Sequence, residues 1–502
     1  MKKSFLINIS ILVFLNLLIK PLWVFIEVEV QNKVGIEHFG LYFALFNLSL
    51  ILNMILDGGI ANFNNKKIAE NPSLANAYLN RLIPLRLILG LIYLVVLAVV
   101  GLTLNYSTSA LLLLATLGFN QFLLASLMFM RSNLQGLHFF KSDSIISITD
   151  RLVMAALVLY MFYASDKKFS VETFAFIQTA GYLLAVLLAG IFLMFHSSVK
   201  IKPRFSLRFN IAYLKKCFPY ALIGIFMLLY SFTDSVILER LRGDEEAGIY
   251  AQSSRLLLAL INFSYLFSVP LLPMFARMLA KKENVSELLQ LSGSILILSS
   301  IFIALSCAFH AEDIINALYA KKEGLTLSDK LLLSFKGELI NIENSKEIAL
   351  SSKVFVLTIL SFIPMSAMYI YGTFLTAAGE MKILNVTSAL GVILNFSGNM
   401  LLIPYYGVEA AALMSVITQF FVCAFQIAYA RIKFKLAMPM ALIMRYLLCL
   451  TIFVATTYFI SQTHISWVIQ LCVSCVVGFT SAIVLKAIPL PSIFKLIRSK
   501  AS

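Results

Sequence analysis

Long apolar runs separated by short polar connectors set the rhythm of the chain. Runs long enough to cross a hydrocarbon core of about 30 Å fall near 4–26, 39–62, 82–104, 108–130, 145–164, 172–195, 211–238, 248–275, 289–310, 353–377, 383–403, 408–430, 437–461 and 465–486. The pattern predicts about fourteen helices, because a segment in lipid must satisfy its backbone hydrogen bonds internally. The strict alternation of membrane-barrel strands is absent. The clearest run, GLYFALFNLSLILNMIL over 40–56, carries no charge before it closes on Asp57-Gly58-Gly59. Its start is echoed by Gly248-Ile249-Tyr250-Ala251, and Gly59-Ile60-Ala61 through Lys67 is echoed by Pro270-Leu271-Leu272 through Arg277. Two related halves follow, parallel in topology because six spans return the chain to the same side.

Connector charge orients the spans. With Met1 cytoplasmic, one set of connectors holds Lys66, Lys67, Arg131, Lys200, Lys202, Arg204, Arg208, Lys215, Lys216, Arg277, Lys281, Lys282, Arg431, Lys433 and Lys435 among others. The opposite set is poorer in cations and holds most acids, such as Glu27, Glu29, Glu37, Asp244, Glu245 and Glu246. Both termini are therefore expected on the cytoplasmic side of a multi-pass bacterial inner (plasma) membrane protein. Met1-Lys2-Lys3 and the apolar run after it are signal-like, but Lys20-Pro21-Leu22-Trp23 ends the run without a small-residue cleavage site, which predicts an uncleaved first span.

The expected organisation is an N-terminal six-helix lobe over 1–196, a basic cytoplasmic linker over 197–216, and a second six-helix lobe over 217–432. Two further helices and a tail fill 433–502. The echoes predict pseudo-symmetric lobes, and a transporter built from repeats keeps its site in a central cavity between them. The basic connector reads equally as a hinge or as a topology anchor near anionic lipid. The long polar insertion 311–352, on the outer side, reads as a solvated loop or in part as an amphipathic surface helix.

Composition agrees: 60% of the 502 residues are hydrophobic and 13% charged, against about 25% charged in soluble domains. The net charge of +15 matters here through its placement rather than as a nucleic-acid footprint. Cys472 and Cys475 form a lone C-x-x-C without a second pair, so small packing side chains are the expectation and no metal or cofactor is implied. No phosphate-binding loop or hydrolase pattern is present, and the five histidines show no ligand spacing, so the chain reads as a non-enzyme.

Charges inside spans carry the functional signal, since a charge at membrane depth faces a cavity or a partner. Lys20, Arg86, Arg151 and Arg255 are the candidate cationic group, able to hold a phosphate through charge-assisted hydrogen bonds. Arg86, Arg151 and Arg445 also lie within snorkelling reach of the interface. Asp234 and Asp57 are the candidate ion-coupling acids, Asp57 serving equally as a helix-end cap. Asn16, Asn47, Asn53, Asn120, Tyr230, Asn262, Asn395 and Asn399 suit either sugar hydroxyls or helix–helix bonds.

The blocks 39–70, 219–241 and 247–278, with Leu394-Asn395 and Met400 through Phe420, resemble the polysaccharide-biosynthesis flippases, O-antigen or Wzx type, of the multidrug/oligosaccharidyl-lipid/polysaccharide (MOP) exporter superfamily. The resemblance implies alternating access and movement of an undecaprenyl-diphosphate-linked oligosaccharide to the outer leaflet, with proton or sodium coupling and a polysaccharide polymerase as a partner. It places Arg255, in Tyr-Ala-x-x-x-Arg-Leu, and Lys20 in a cationic cavity, and Asp234 at an acidic position of the seventh helix. A drug–cation antiporter of the same superfamily and a membrane polymerase are the competing readings. The first predicts an acidic cavity, the second catalytic acids or arginines in a large outer loop.

Overall fold

The computed structural model describes residues 19, 22–164, 168–196, 202–321, 329–330, 332–333, 344–436, 440–463 and 465–488. Among these residues the only regular structure is helix. Helix α1 covers 22–34. It is followed by α2 Ile36–Leu52, α3 Met54–Asp57, α4 Ile60–Glu70, α5 Leu74–Thr103, α6 Thr108–Gly136, α7 Phe140–Tyr163, α8 Val171–His196 and α9 Leu207–Arg242. Then come α10 Asp244–Ser268, α11 Leu271–Ala280, α12 Ser286–Phe309, α13 Ala311–Tyr319, α14 Ser345–Leu360, α15 Phe362–Ala377, α16 Met381–Phe434, α17 Met440–Ser461 and α18 Trp467–Val484.

Among the described residues, eleven helices are long and apolar enough to cross a membrane. One of them, α16, has 54 residues, roughly 80 Å at about 1.5 Å per residue, and so holds two spans. It breaks at Gly407, with φ 57° and ψ −136° three residues after Pro404, between the expected runs 383–403 and 408–430. Counting α16 twice and adding α9 gives thirteen crossings, and α1 belongs to the fourteenth expected run, most of which lies outside the described residues. The protein is an all-helical, multi-pass membrane protein.

Contacts divide the chain into two units, Met1–Gly248 and Ile249–Ser502. In the first, α6 lies at the centre with α2, α4, α5, α7 and α8 against it. Amide side chains fasten it: Asn120 Nδ2 donates to the Ala175 carbonyl at 2.9 Å, and Asn53 Nδ2 to Gln121 Oε1 at 2.8 Å. Asn64 donates to Ser132 Oγ at 2.9 Å, and Asn47 on α2 donates to Ser235 Oγ on α9 at 2.8 Å. Asn47, Asn53 and Asn120 thus take the helix–helix alternative offered by the sequence. In the second unit α12 is central, packed by α14, α15, α17 and α18, with Phe302 and Phe453 stacked at 4.9 Å.

Both echoes in the sequence have a structural counterpart. Each unit carries a long helix that breaks and resumes as a short one: α3 ends on the left-handed Gly58 and Gly59 before α4, and α10 ends before the Val269-Pro270 turn and α11. Within the first unit, Gly40 lies flat against the backbone of Asp244 and Gly248, where a Cβ would collide with the Asp244 carbonyl. A Cβ on Gly248 would likewise collide with the Ile36 carbonyl, and Gln31 Nε2 donates to the Gly248 carbonyl at 3.0 Å.

Two local readings change. The first helix does not end near 26 but runs on to 34, because nothing breaks it before Gly35 and Val28 and Val30 are buried. That moves Glu27 and Glu29 from a connector into a helix. The insertion 311–352 opens with α13, whose Ala311, Ile315, Leu318 and Tyr319 are buried, and its last residues already belong to α14. Asn344 caps the gap by accepting from the Lys321 amide at 2.9 Å, and Lys321 pairs with Glu347 at 3.1 Å. The central part of the insertion lies outside the described residues.

Candidate functional site

Of the six residues singled out by charge at depth, Lys20 lies outside the described residues. Asp57, Arg86, Arg151 and Asp234 fall in the unit Met1–Gly248, and Arg255 in Ile249–Ser502.

Asp57 and Arg86 meet. Arg86, on α5 two residues after Pro84, is buried. Its Nη1 lies 3.3 Å from Asp57 Oδ1, and its Nη2 donates to the Ala125 carbonyl of α6 at 2.6 Å. The guanidinium stacks over Phe129 at 4.8 Å. Asp57 Oδ1 also accepts from the Ala61 amide at 3.2 Å, so the carboxylate caps α4 across the Gly58-Gly59 break while it neutralises the arginine. Of the two alternatives for Asp57, the helix-end cap is present, and the same side chain pairs with Arg86.

Arg151 gathers a different set. It sits three turns into α7, inside the helix rather than at its opening, 3.9 Å from Asp150 Oδ2. Its guanidinium lies 4.8 Å over the Trp23 ring of α1, and it donates to the Tyr182 hydroxyl of α8. Glu27 of α1 acts on it electrostatically. Asp234 is fully buried in α9, beside Ser235, which holds Asn47. Arg255 is buried two turns beyond Gly248 in α10.

Other charged pairs lie at the rims. Arg131 Nε donates to Asp143 at 2.6 Å, and Gln135 Nε2 donates to the same carboxylate at 2.9 Å. Glu239 accepts from the Tyr106 hydroxyl at 2.7 Å and pairs with Arg240. Arg445, which the sequence left open, donates to the Lys486 carbonyl at 3.2 Å and is exposed. The cysteines are free, Cys475 lying 3.5 Å from Ser306 Oγ. Among the described residues no group of histidine, cysteine and acid side chains is arranged to hold a metal.

A family model described as "Polysaccharide biosynthesis protein" matches residues 5–279, more than half of the 502 residues. The chain belongs to this family. No curated protein matches it. Among solved structures it is similar to the lipid II flippase MurJ in an inward closed conformation, with a TM-score of 0.73 and 14% identity over 96% of this chain and 99% of that one. It is also similar to a multidrug resistance MATE family transporter of the MOP superfamily in an inward-facing conformation, with a TM-score of 0.59 and 12% identity over 86% and 98%. A third is a MOP superfamily transporter from Pyrococcus furiosus whose binding pocket has reverse polarity, with a TM-score of 0.50 and 15% identity over 86% and 93%. At these identities the likeness carries the fold, which is the MOP fold that the sequence resemblance implied.

In this polysaccharide biosynthesis protein, sequence reading missed the company that Arg151 keeps. Glu27 looked like a loop acid, because the apolar run before it already had the length of a span. Tyr182 and Gln178 stand four residues apart on α8, hence on one face, but nothing in their own segment marks that face as the one turned toward two acids.

Proposed function

We propose that the protein moves an undecaprenyl-diphosphate-linked oligosaccharide from the inner to the outer leaflet of a bacterial plasma membrane, presenting its site to the two sides in turn. The observation that carries this reading is the family match over 5–279, which ties the chain to polysaccharide biosynthesis. The likeness in fold to a protein named as a lipid II flippase supports the same class of cargo. The chemistry agrees: a diphosphate needs desolvated cations, and Lys20, Arg86, Arg151 and Arg255 are the proposed contacts, Arg86 being also the partner of Asp57. Asp234, fully buried and the one charged residue of the stretch 217–238 within α9, is the proposed coupling acid, with proton or sodium as the ion. A surface polymer such as O-antigen, with a polymerase that uses the translocated unit, completes the reading. The drug-antiporter alternative draws only on the shared fold.

The test is deletion of the gene in its own host, followed by extraction and mass analysis of polyprenyl diphosphates. Accumulation of one lipid-linked oligosaccharide on the inner leaflet, with loss of the surface polymer, is expected. An unchanged lipid pool and an intact surface polymer would overturn the proposal.

A further inference from the structure

The second unit holds a cleft for which the transport reading has no use. It lies between the first turns of α12, the last turns of α15 and α16, and the first turns of α17. Its volume is about 40 Å³, room for roughly three waters. A phosphate group is of that order, whereas a sugar or a nucleotide is far larger. Gly293, on the α12 wall, keeps the space open. It is buried, yet a Cβ added to it would meet nothing nearer than Ile297 Cδ1 at 3.9 Å. Gly118 and Gly478, also buried in helices, have a neighbouring side chain pressed against them instead.

The polar lining has one sign. Arg431, in the last turn of α16, donates to the Tyr371 hydroxyl of α15. Tyr446 of α17 reaches Ser294 of α12 at 2.5 Å, and Ser286 and Gln290 of α12 complete the set. Carboxylates at this end are engaged elsewhere: Glu283 pairs with Lys281 at 3.8 Å and Glu380 with Lys433 at 2.5 Å. Glu287 is exposed and does not line the cleft. Among the described residues the lining therefore offers one fixed positive charge, hydroxyls and an amide, and no acid. That inventory suits an oxyanion. A guanidinium fork has five N–H donors and can hold a phenol and an oxyanion together. The positive end of α12, which begins at Ser286, adds to the same field. Arg431 also belongs to the connectors that charge places at the inner face, the level at which basic pockets between spans take lipid head groups.

We propose that this cleft binds one phosphate group, carried by an anionic phospholipid of the surrounding leaflet or free in solution. Arg431 supplies the charge, and Tyr371 and Tyr446 supply hydroxyl donors from two other helices. Bound phosphate thereby ties α17, the first of the two helices that follow the second lobe, to α15 and α16. The site shares no residue with the charges at depth, and its occupancy does not depend on what cargo the protein moves.

Two arms separate the sources. In the first, the full chain in detergent is titrated with phosphatidylglycerol, and separately with phosphatidylcholine, and bound lipid is counted by native mass spectrometry. In the second, the chain in phosphatidylcholine nanodiscs is titrated with inorganic phosphate against chloride at constant ionic strength, and the melting temperature is followed. One saturable event is expected in at least one arm: a first phosphatidylglycerol bound ahead of phosphatidylcholine names the lipid, and a rise in melting temperature names free phosphate. Arg431→Gln removes the charge. Gly293→Val fills the space and leaves the charge in place. Each should weaken that event by roughly tenfold, equivalent to about 1.4 kcal/mol. Flat responses in both arms overturn the proposal. So does an event that survives Gly293→Val, since binding would then be to surface charge and not to the cleft. Where either variant fails to fold, Arg431→Lys and Tyr371→Phe take their places; each must shift the midpoint by roughly threefold or more, and unmoved midpoints overturn the site. Loss of cargo movement with this event intact would count against the transport reading and leave the cleft standing.

Discussion

At the scale of the residue, the clearest statement concerns Asp57 and Arg86. A buried guanidinium left without its carboxylate is among the costliest single changes a protein can undergo. Asp57→Ala removes the partner 3.3 Å from Arg86 and the cap on the Ala61 amide together. The expected loss is roughly 3 kcal/mol, the low end of the range for broken buried pairs because Asp57 is partly exposed. Thermal melting of the purified protein in nanodiscs checks it, and Asp57→Asn, which can still cap α4, should lose less. A second residue-level statement concerns pH. Glu380, in the turn before α16, accepts from Lys433 Nζ at 2.5 Å and from the Tyr429 hydroxyl at 2.8 Å. The Lys433 contact, ahead of the tyrosine, holds its carboxyl below the ordinary value near 4.5. The stabilisation is therefore complete at neutral pH and is lost only as pH falls through that lowered value. The difference in melting temperature between wild type and Glu380→Gln should be constant from pH 8 to about 5.5 and shrink toward zero below about pH 4. A difference that peaks in acid would contradict the pairing.

At the scale of the element, the helix breaks matter more than the helices. The run 40–56 was legible as one span, and it is one, but it is built of α2 and α3 with the chain turning at Asn53 and again at Gly58-Gly59. Hydropathy cannot show those turns, because an apolar helix and an apolar kinked helix have the same composition. The break in α16 was legible, since Pro404 and Gly407 punctuate it. Gly407 holds φ 57° and ψ −136°, a region that a Cβ makes costly by about 1–3 kcal/mol. Gly407→Ala should therefore lower the melting temperature, whereas Gly190→Ala, where nothing lies within 4 Å of the added carbon, should leave it unchanged. The Gly40–Gly248 crossing is a further lesson. The repeat of Gly-x-Tyr in α2 and α10 looked like ancestry alone. In the fold each glycine also faces the other helix, at a distance that only a missing side chain permits.

At the scale of the whole molecule, the functional prediction is Arg255→Ala. Under the proposed reading it should abolish surface polysaccharide while the protein still accumulates in the membrane, as measured by immunoblot of membrane fractions beside polymer staining. Normal display would remove Arg255 from the substrate contacts. The sequence located this residue from a short block around Gly248, and the structure adds that the side chain is buried. The match of the family model over the first 279 residues and the likeness in fold over nearly the full length bear out the class of protein read from its spans.

By itself the sequence determined that the chain is helical, lies in lipid, crosses about fourteen times and repeats its plan. Each of these follows from composition summed over windows of about 20 residues, where many weak preferences add to one strong one. It also named the charges at depth, because a charged residue in an apolar run is conspicuous. Only tertiary structure decided which charges meet. Asp57 finds Arg86 across 29 positions, and Glu27 comes into the field of Arg151 across more than a hundred, because neighbours in space are set by which helix faces turn together. A one-dimensional pattern records the face of each helix but not its partner, so the pairing of Asp57 with Arg86 and the company of Arg151 came into view only with the packed fold.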